Sequence, residues 1–355
     1  MCNFVCVGNA KLYVSLHQVV STTLTLTPGN PKEWRRHLDG CAYLIQAAEI
    51  NGFSGKEEQA LFWCFARMDV CGGLISEEET IIPIHNWTPK TMSPHEASQL
   101  FLASKANFDT YANYTVYLCA QTVGVVFGAS KHHHPSCMSC HYLDGDTYVD
   151  RWMGLLDRVE GWYEQRPCQM KSIFSVSTPG GKESSFPTVI YGNGAASMFV
   201  LSLSRITTCS VLINTVSGNQ LYHVCALLLL QGKPKTLPLS RKPVSSLYSF
   251  TSYMVVLTQR RNPSSGMHGK YAPFPPPTPI SKSTYYVALP IFHILMTCSG
   301  CWTNALQPLW VAGKAMSHHS EHAAIVETLN RIERETGWAT AWRVEDLKEF
   351  WGDED

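Results

Sequence analysis

The sequence predicts an all-α protein, a multi-helix bundle with irregular insertions, and three observations predict it. Apolar residues recur at three-and-four spacing in several separate windows, the period of a helix with one buried face. Alternation of comparable strength at period two is missing; it is confined to short runs such as PTVIYG and residues 123–127. The chain has 355 residues and a hydrophobic fraction of 45%, enough to bury one sizeable core or two modest ones.

The first helix is expected from Trp34 to Asn51, where Leu38, Cys41, Ala42, Ile45 and Ala48 share a face, with Asn51-Gly52 as a left-handed stop. The second, KEEQALFWCFARMDV, begins with Glu57 and Glu58, acids that suit the positive end of a helix, and repeats Leu61, Cys64, Phe65 and Met68. Together they predict an α-hairpin. Ser93-Pro94 reads as an N-cap followed by proline at the first helical position, starting a third helix through Phe101 and Ala106. A fourth is expected from about Tyr148 to Gln165, with Trp152, Leu155, Leu156, Val159, Trp162 and Tyr163 on one broad face before Pro167. The row NQLYHVCALLLLQ predicts a fifth, ending at Gly232. Near the C-terminus Ser320 is the expected cap of EHAAIVETLNRIERE, Gly337 its stop, and ATAWRVEDLKEFW a last helix.

Two stretches break this pattern. Residues 237–290 carry PVSSLYSF and the run FPPP among Ser, Thr and Gly, with no sustained period, which predicts disorder or an insertion. The row MFVLSLSRITTCSVLINTV is β-branched and apolar, but Arg205 within it favours a buried or inserted segment over a membrane span. The organisation expected is an irregular segment over 1–30, a helical region over 31–235 with an insertion at 198–216, a Pro/Ser-rich irregular insertion over 236–300, and C-terminal helices of the same region over 301–355.

Charge and cysteine usage exclude several function classes. Lys plus Arg equals Asp plus Glu at 28 each, without a long basic run, so the footprint of a protein that grips phosphates is missing. Direct contact with nucleic acid is therefore not expected. Charged residues at 16% leave an under-charged surface and predict poor solubility of the isolated chain. The opening stretch has no basic start followed by an apolar run, and no stretch of about twenty uncharged apolar residues follows, which places the chain inside the cell and off the membrane. Thirteen cysteines scattered along the chain fit reduced, mostly buried thiols. Arg260-Arg261 and the Lys233-Pro-Lys235 run are too weak to serve as a nuclear signal by themselves.

The motifs that carry chemistry are incomplete. His132, His133, His134, Cys137, Cys140 and His141 in KHHHPSCMSCH are enough nitrogen and sulfur ligands for a tetrahedral zinc. Ser136 separates Pro135 from Cys137 and no His-x-Glu precedes it, so a zinc deaminase half-site is not formed. Cys298 and Cys301 make a second C-x-x-C, too distant from the first for ribbon spacing and without a βαβ context. The glycines of YGNG and PGG lack the ending of a phosphate loop and read as turns, and the acids Glu77, Glu78 and Glu79 as a solvated turn. Trp152, Trp162, Trp310 and Trp338 lie in or beside helical patterns and are expected in the core.

Several rows resemble the regulatory, or middle homology, region of fungal binuclear-zinc-cluster transcription factors. They are WRRHLDGCAYLIQAAEINGFSGKEEQALFWCFARMDV, with Phe62, Trp63, Phe65, Arg67 and Asp69 in an aromatic stretch and Arg-x-Asp, then IIPIHNW, RWMGLLDRVEGWYEQRPCQM, FPTVIYGNGAAS, SGNQLYHVCALLLLQGKP, and the long row from Cys301 to Asp353. The resemblance implies a bundle of many helices that controls activation and dimerisation, in the nucleus, by protein contacts with zinc-cluster factors. The six-cysteine DNA-reading element has no counterpart here, since Cys2 and Cys6 stand alone. The expectation is a transcription-regulator-like protein without catalytic, cofactor-binding or metal-ligating residues and without a cofactor. The alternative is a metal-dependent enzyme or zinc-binding protein built on residues 132–141.

Overall fold

The computed structural model describes residues 31–104, 107–128, 148–176, 188–191, 205–237 and 305–353. The His132 to His141 ligands, both C-x-x-C pairs, the YGNG and PGG glycines, segment 1–30 and most of the expected insertions lie outside the described residues. Among those described, the helices are α1 (Pro31–Ala47), α2 (Lys56–Ser76), α3 (Pro94–Ala103), α4 (Phe108–Gly128), α5 (Tyr148–Glu164), α6 (Arg205–Gln231), α7 (Leu306–Ala315), α8 (His319–Thr336) and α9 (Ala341–Trp351). The fold is all-α. Among the described residues one small pair of strands, β1 (Ser172–Val176) antiparallel to β2 (Thr188–Tyr191), sits beside α6, and β2 is the TVIY of the PTVIYG run.

The core is built around α4, which packs on α2, α3, α5 and, most extensively, α6. No helix was expected at α4, and residues 123–127 read as a strand-like run; they are helical and end it. The reason is physical: α4 is buried on nearly every side, from Tyr111 through Ala120 without a break, so it has no polar stripe to give a helical period away. Its main partner α6 is also buried continuously, from residue 216 to residue 229. Its end at Gln231 matches the expectation, but it begins at Arg205, inside the apolar row that was set apart as an insertion. Among the described residues no helix is long and apolar enough to cross a membrane.

The helices with one wet face follow their sequence patterns. In α5, Trp152, Leu155, Val159 and Trp162 are buried as expected. At α3, Ser93 Oγ accepts from the Glu96 N–H at 3.2 Å and the Glu96 carboxylate accepts from the Ser93 N–H at 2.7 Å, a reciprocal cap. One stop and one start differ in place. The chain turns left-handed at Glu49 (φ 55°), not at Asn51-Gly52, so α1 ends at Ala47. Gly52 serves a close approach instead: a Cβ there would lie 2.6 Å from the Trp63 ring. Likewise α8 is capped by His318, whose Nδ1 accepts from the Ser320 N–H at 3.3 Å, and starts one residue before Ser320.

In α2 the buried face is broader than Leu61, Cys64, Phe65 and Met68. Phe62 and Trp63 are buried and Cys64 is exposed, because α2 meets α1 on one side and α4 on another. The C-terminal helices complete the bundle: α7 packs on α6 and α2, and α8 and α9 pack on α7.

Candidate functional site

The Arg-x-Asp pair of α2 is internal. Asp69 is fully buried, and its carboxylate accepts from the Ile81 N–H at 2.7 Å and the Ile82 N–H at 3.0 Å. It thereby holds the segment that begins IIPIHNW, whose Trp87 donates from Nε1 to the Ile82 carbonyl at 3.0 Å and packs edge-on against Phe62. Arg67 donates to the Trp63 carbonyl at 3.0 Å and to Asn113 Oδ1 of α4 at 2.7 Å. Burial lowers its proton affinity, opposed by Cys64, Asp109 and Cys71. A guanidinium and a carboxylate two residues apart on one helix therefore point to different neighbours and form no pair with each other.

A second polar seam runs between the end of α5 and the middle of α6. Arg166, just beyond α5, lies over the Tyr163 ring at 3.4 Å and donates to Asn219 Oδ1. Asn219 donates from Nδ2 to the Met170 carbonyl at 3.1 Å, fixing the turn after α5 to α6. One helical turn on, His223 meets Tyr163 edge-on, and Tyr163 stacks on Tyr222 at 4.1 Å. Burial, reinforced by the nearby Arg166 charge, pushes the His223 imidazole down to about 3. It is neutral across the physiological range.

His223 has a consequence for stability in acid. An unfolded chain takes up a proton at the ordinary histidine value of 6.5, whereas the folded chain resists it until about 3. Protons therefore favour the unfolded state as pH falls through that window, by about 2 kcal/mol from this group by pH 5. Urea unfolding at pH 7 and pH 5 should show that loss, and His223→Leu should remove most of it. An equal loss in the variant would refute the assignment.

A third cluster secures the C-terminal helices. Arg343 of α9 is 2% exposed, sandwiched between the Trp310 and Trp342 rings at 4.1 and 4.2 Å. It donates to Asp346 Oδ2 at 2.9 Å and to Gln307 Oε1 of α7 at 2.7 Å. Burial lowers it to about 10, with Asp346 opposing, so the cation persists at neutral pH. Cys71 of α2 is pushed up to about 11 by burial, while the charges of Arg67 and Arg343 pull the other way. Described cysteines are free thiols, Cys41, Cys119 and Cys225 buried and Cys64 and Cys168 exposed. Trp152, Trp162 and Trp310 are core residues as expected, and Trp338 packs at its edge.

The acids after α2 do more than face solvent. Glu77 takes the left-handed C-cap position, and its carboxylate pairs with Lys314 of α7 at 2.5 Å. Both side chains are accessible, so the tie adds little energy. Its place marks where α7 docks.

The three clusters join side chains of different helices and of the turns beside them. Their hydrogen bonds tie helices at fixed register, an arrangement suited to holding one packing of a bundle. Among the described residues, metal-ligating side chains converge at His319, His322 and Asp353. No expected site residue is there, because 31 positions separate Asp353 from His322 and no local spacing signals them.

No protein-family profile matches the chain, and no solved structure matches it. The transcription activator AMTR1 of Alternaria alternata is similar to it, 21% identical over 352 residues, covering 90% of this chain and 41% of the relative. The chain thus spans less than half the length of that protein.

Proposed function

We propose that this chain is a transcription regulator, the regulatory region of a fungal zinc-cluster factor, acting in the nucleus through protein contacts and not as an enzyme. The observation that carries this reading is the similarity to a transcription activator along 90% of the chain. An all-α bundle whose buried polar groups fasten helix to helix supports it, since such a bundle suits docking and dimerisation. The partners proposed are zinc-cluster factors or a second copy of the chain.

A tethering experiment tests the proposal. Fused to an unrelated DNA-binding domain in a fungal host, the chain should change a reporter several-fold. A stably expressed, nuclear fusion without effect on the reporter would overturn the reading. The unfused chain should form no sequence-selective complex with duplex DNA at physiological salt. With a formal net charge of +0 it can neutralise few phosphates, and each phosphate contact that does form steepens the salt dependence by a slope of about −0.9. A selective complex lost steeply between low and physiological salt would show that the chain reads DNA itself.

A further inference from the structure

We propose that His319, His322 and Asp353 form a binding site for a divalent cation of the zinc class, which fastens the chain after α9 to the first turn of α8. This stands independently of the regulatory reading. One ligand atom from each residue lies within 4.8 Å of the others. His319 and His322 are three apart in α8 and so lie on one face of it, while Asp353 follows the Gly352 stop of α9.

The His322 ring is set for ligation. It stacks face to face on Trp351, with centroids 3.8 Å apart and planes 3° from parallel. Its Nε2 is 3.2 Å from the Met316 carbonyl, which can only accept, so in the neutral ring Nε2 carries the proton. The lone pair is then on Nδ1, the atom 3.9 Å from Asp353 Oδ2. A ligating histidine that gives its other N–H to a backbone carbonyl is the usual outer-shell arrangement of a protein metal site.

The spacing also fits a metal better than a direct contact. A hydrogen bond between Nδ1 and the carboxylate would need roughly 3 Å. Ligands on one tetrahedral zinc lie roughly 3.3 Å apart, given metal–ligand distances of about 2.0–2.1 Å. Small movements of the exposed His319 and Asp353 side chains bring the set to that geometry, while the half-buried His322 stays fixed between Trp351 and Met316. His318 is not one of the converging side chains, and its Nδ1 is engaged with Ser320 at the helix cap. Two nitrogens and one oxygen leave a fourth position for water, and they favour zinc, cobalt or nickel over calcium or magnesium.

The test uses the full reduced chain, titrated with zinc chloride by calorimetry and with cobalt chloride by visible absorption. The chain carries other cysteines and histidines, so the readout is a difference against His319→Gln and Asp353→Asn. Both positions are exposed, and unchanged far-ultraviolet dichroism verifies that the variants fold. Each variant should lose one equivalent of zinc or bind it weaker by roughly tenfold or more. The cobalt signal that disappears should be a weak visible band without thiolate charge transfer. Zinc should also perturb the near-ultraviolet dichroism of the wild type through Trp351, and fail to do so in the variants. Equal stoichiometry and affinity in wild type and both variants would overturn the proposal.

Discussion

Replacing Trp162 by Ala is expected to lower stability by about 3–5 kcal/mol, the usual cost of emptying a large aromatic site in a core. Trp162 is fully buried, stacks on Tyr111 at 5.5 Å and on Tyr222 at 6.1 Å, and so joins α5 to both α4 and α6. Its bond pattern is reciprocal. The indole Nε1 donates to the Tyr111 carbonyl at 3.0 Å, and Tyr111 Oη donates to the Trp162 carbonyl at 2.9 Å. Alanine leaves a void and one carbonyl without its donor. Whole domains are stable by only about 5–15 kcal/mol, so the loss is a large fraction of the total. Urea unfolding followed by far-ultraviolet dichroism measures it. Trp162→Phe keeps most of the packing and loses the Nε1 bond, and should cost about 1–2 kcal/mol. Alanine and phenylalanine variants of equal stability would contradict this account.

Asp69→Ala is the other large effect, about 2–5 kcal/mol, and it arises from a different cause. Removing the carboxylate deprives the Ile81 and Ile82 N–H groups of their acceptor, and each buried donor left without a partner costs about 1–3 kcal/mol. Asp69→Asn retains one accepting oxygen and should cost less. Hydrogen exchange gives the sharper readout. The two amides should lose protection in the alanine variant before the helices around them do, because their anchor is the side chain and not a helical ladder. Unchanged protection at Ile81 and Ile82 would show that the carboxylate does not hold that segment.

Much of this architecture could be read from residue order wherever a helix has one wet face. Leu155, Val159 and Trp162 disclose α5, Ser93 and Pro94 disclose the start of α3, and Gly337, at φ 76°, marks the end of α8. The period vanishes where burial is complete, so α4 could not be recognised by pattern. The stop after α1 was misplaced for another reason: Glu49 takes the left-handed conformation that glycine adopts more readily, and the neighbouring Gly52 is retained for the ring of Trp63. The polar clusters were less legible still. Arg67 and Asp69 stood out in sequence, but their partners Asn113 and Ile81–Ile82 are set by tertiary packing. Asn219 and His223 look like ordinary members of an apolar row, and Arg343 gains its two indole neighbours only when α7 and α9 meet.

The length and burial of α6 restrict how the molecule can change shape. At 27 residues it is about 40 Å long, a stiff strut that carries the Asn219 tie and the α7 contact on one axis. Its girdle of buried residues, unbroken over 216–229, leaves no side that can be turned to water. A hinge that swung α6 outward would expose that girdle at about 25 cal/mol for each Å² of apolar surface. The inexpensive motions are therefore slides along the strut or small rotations about it. Either one moves Asn219 against Arg166 and shifts the seat of α7 in the same stroke.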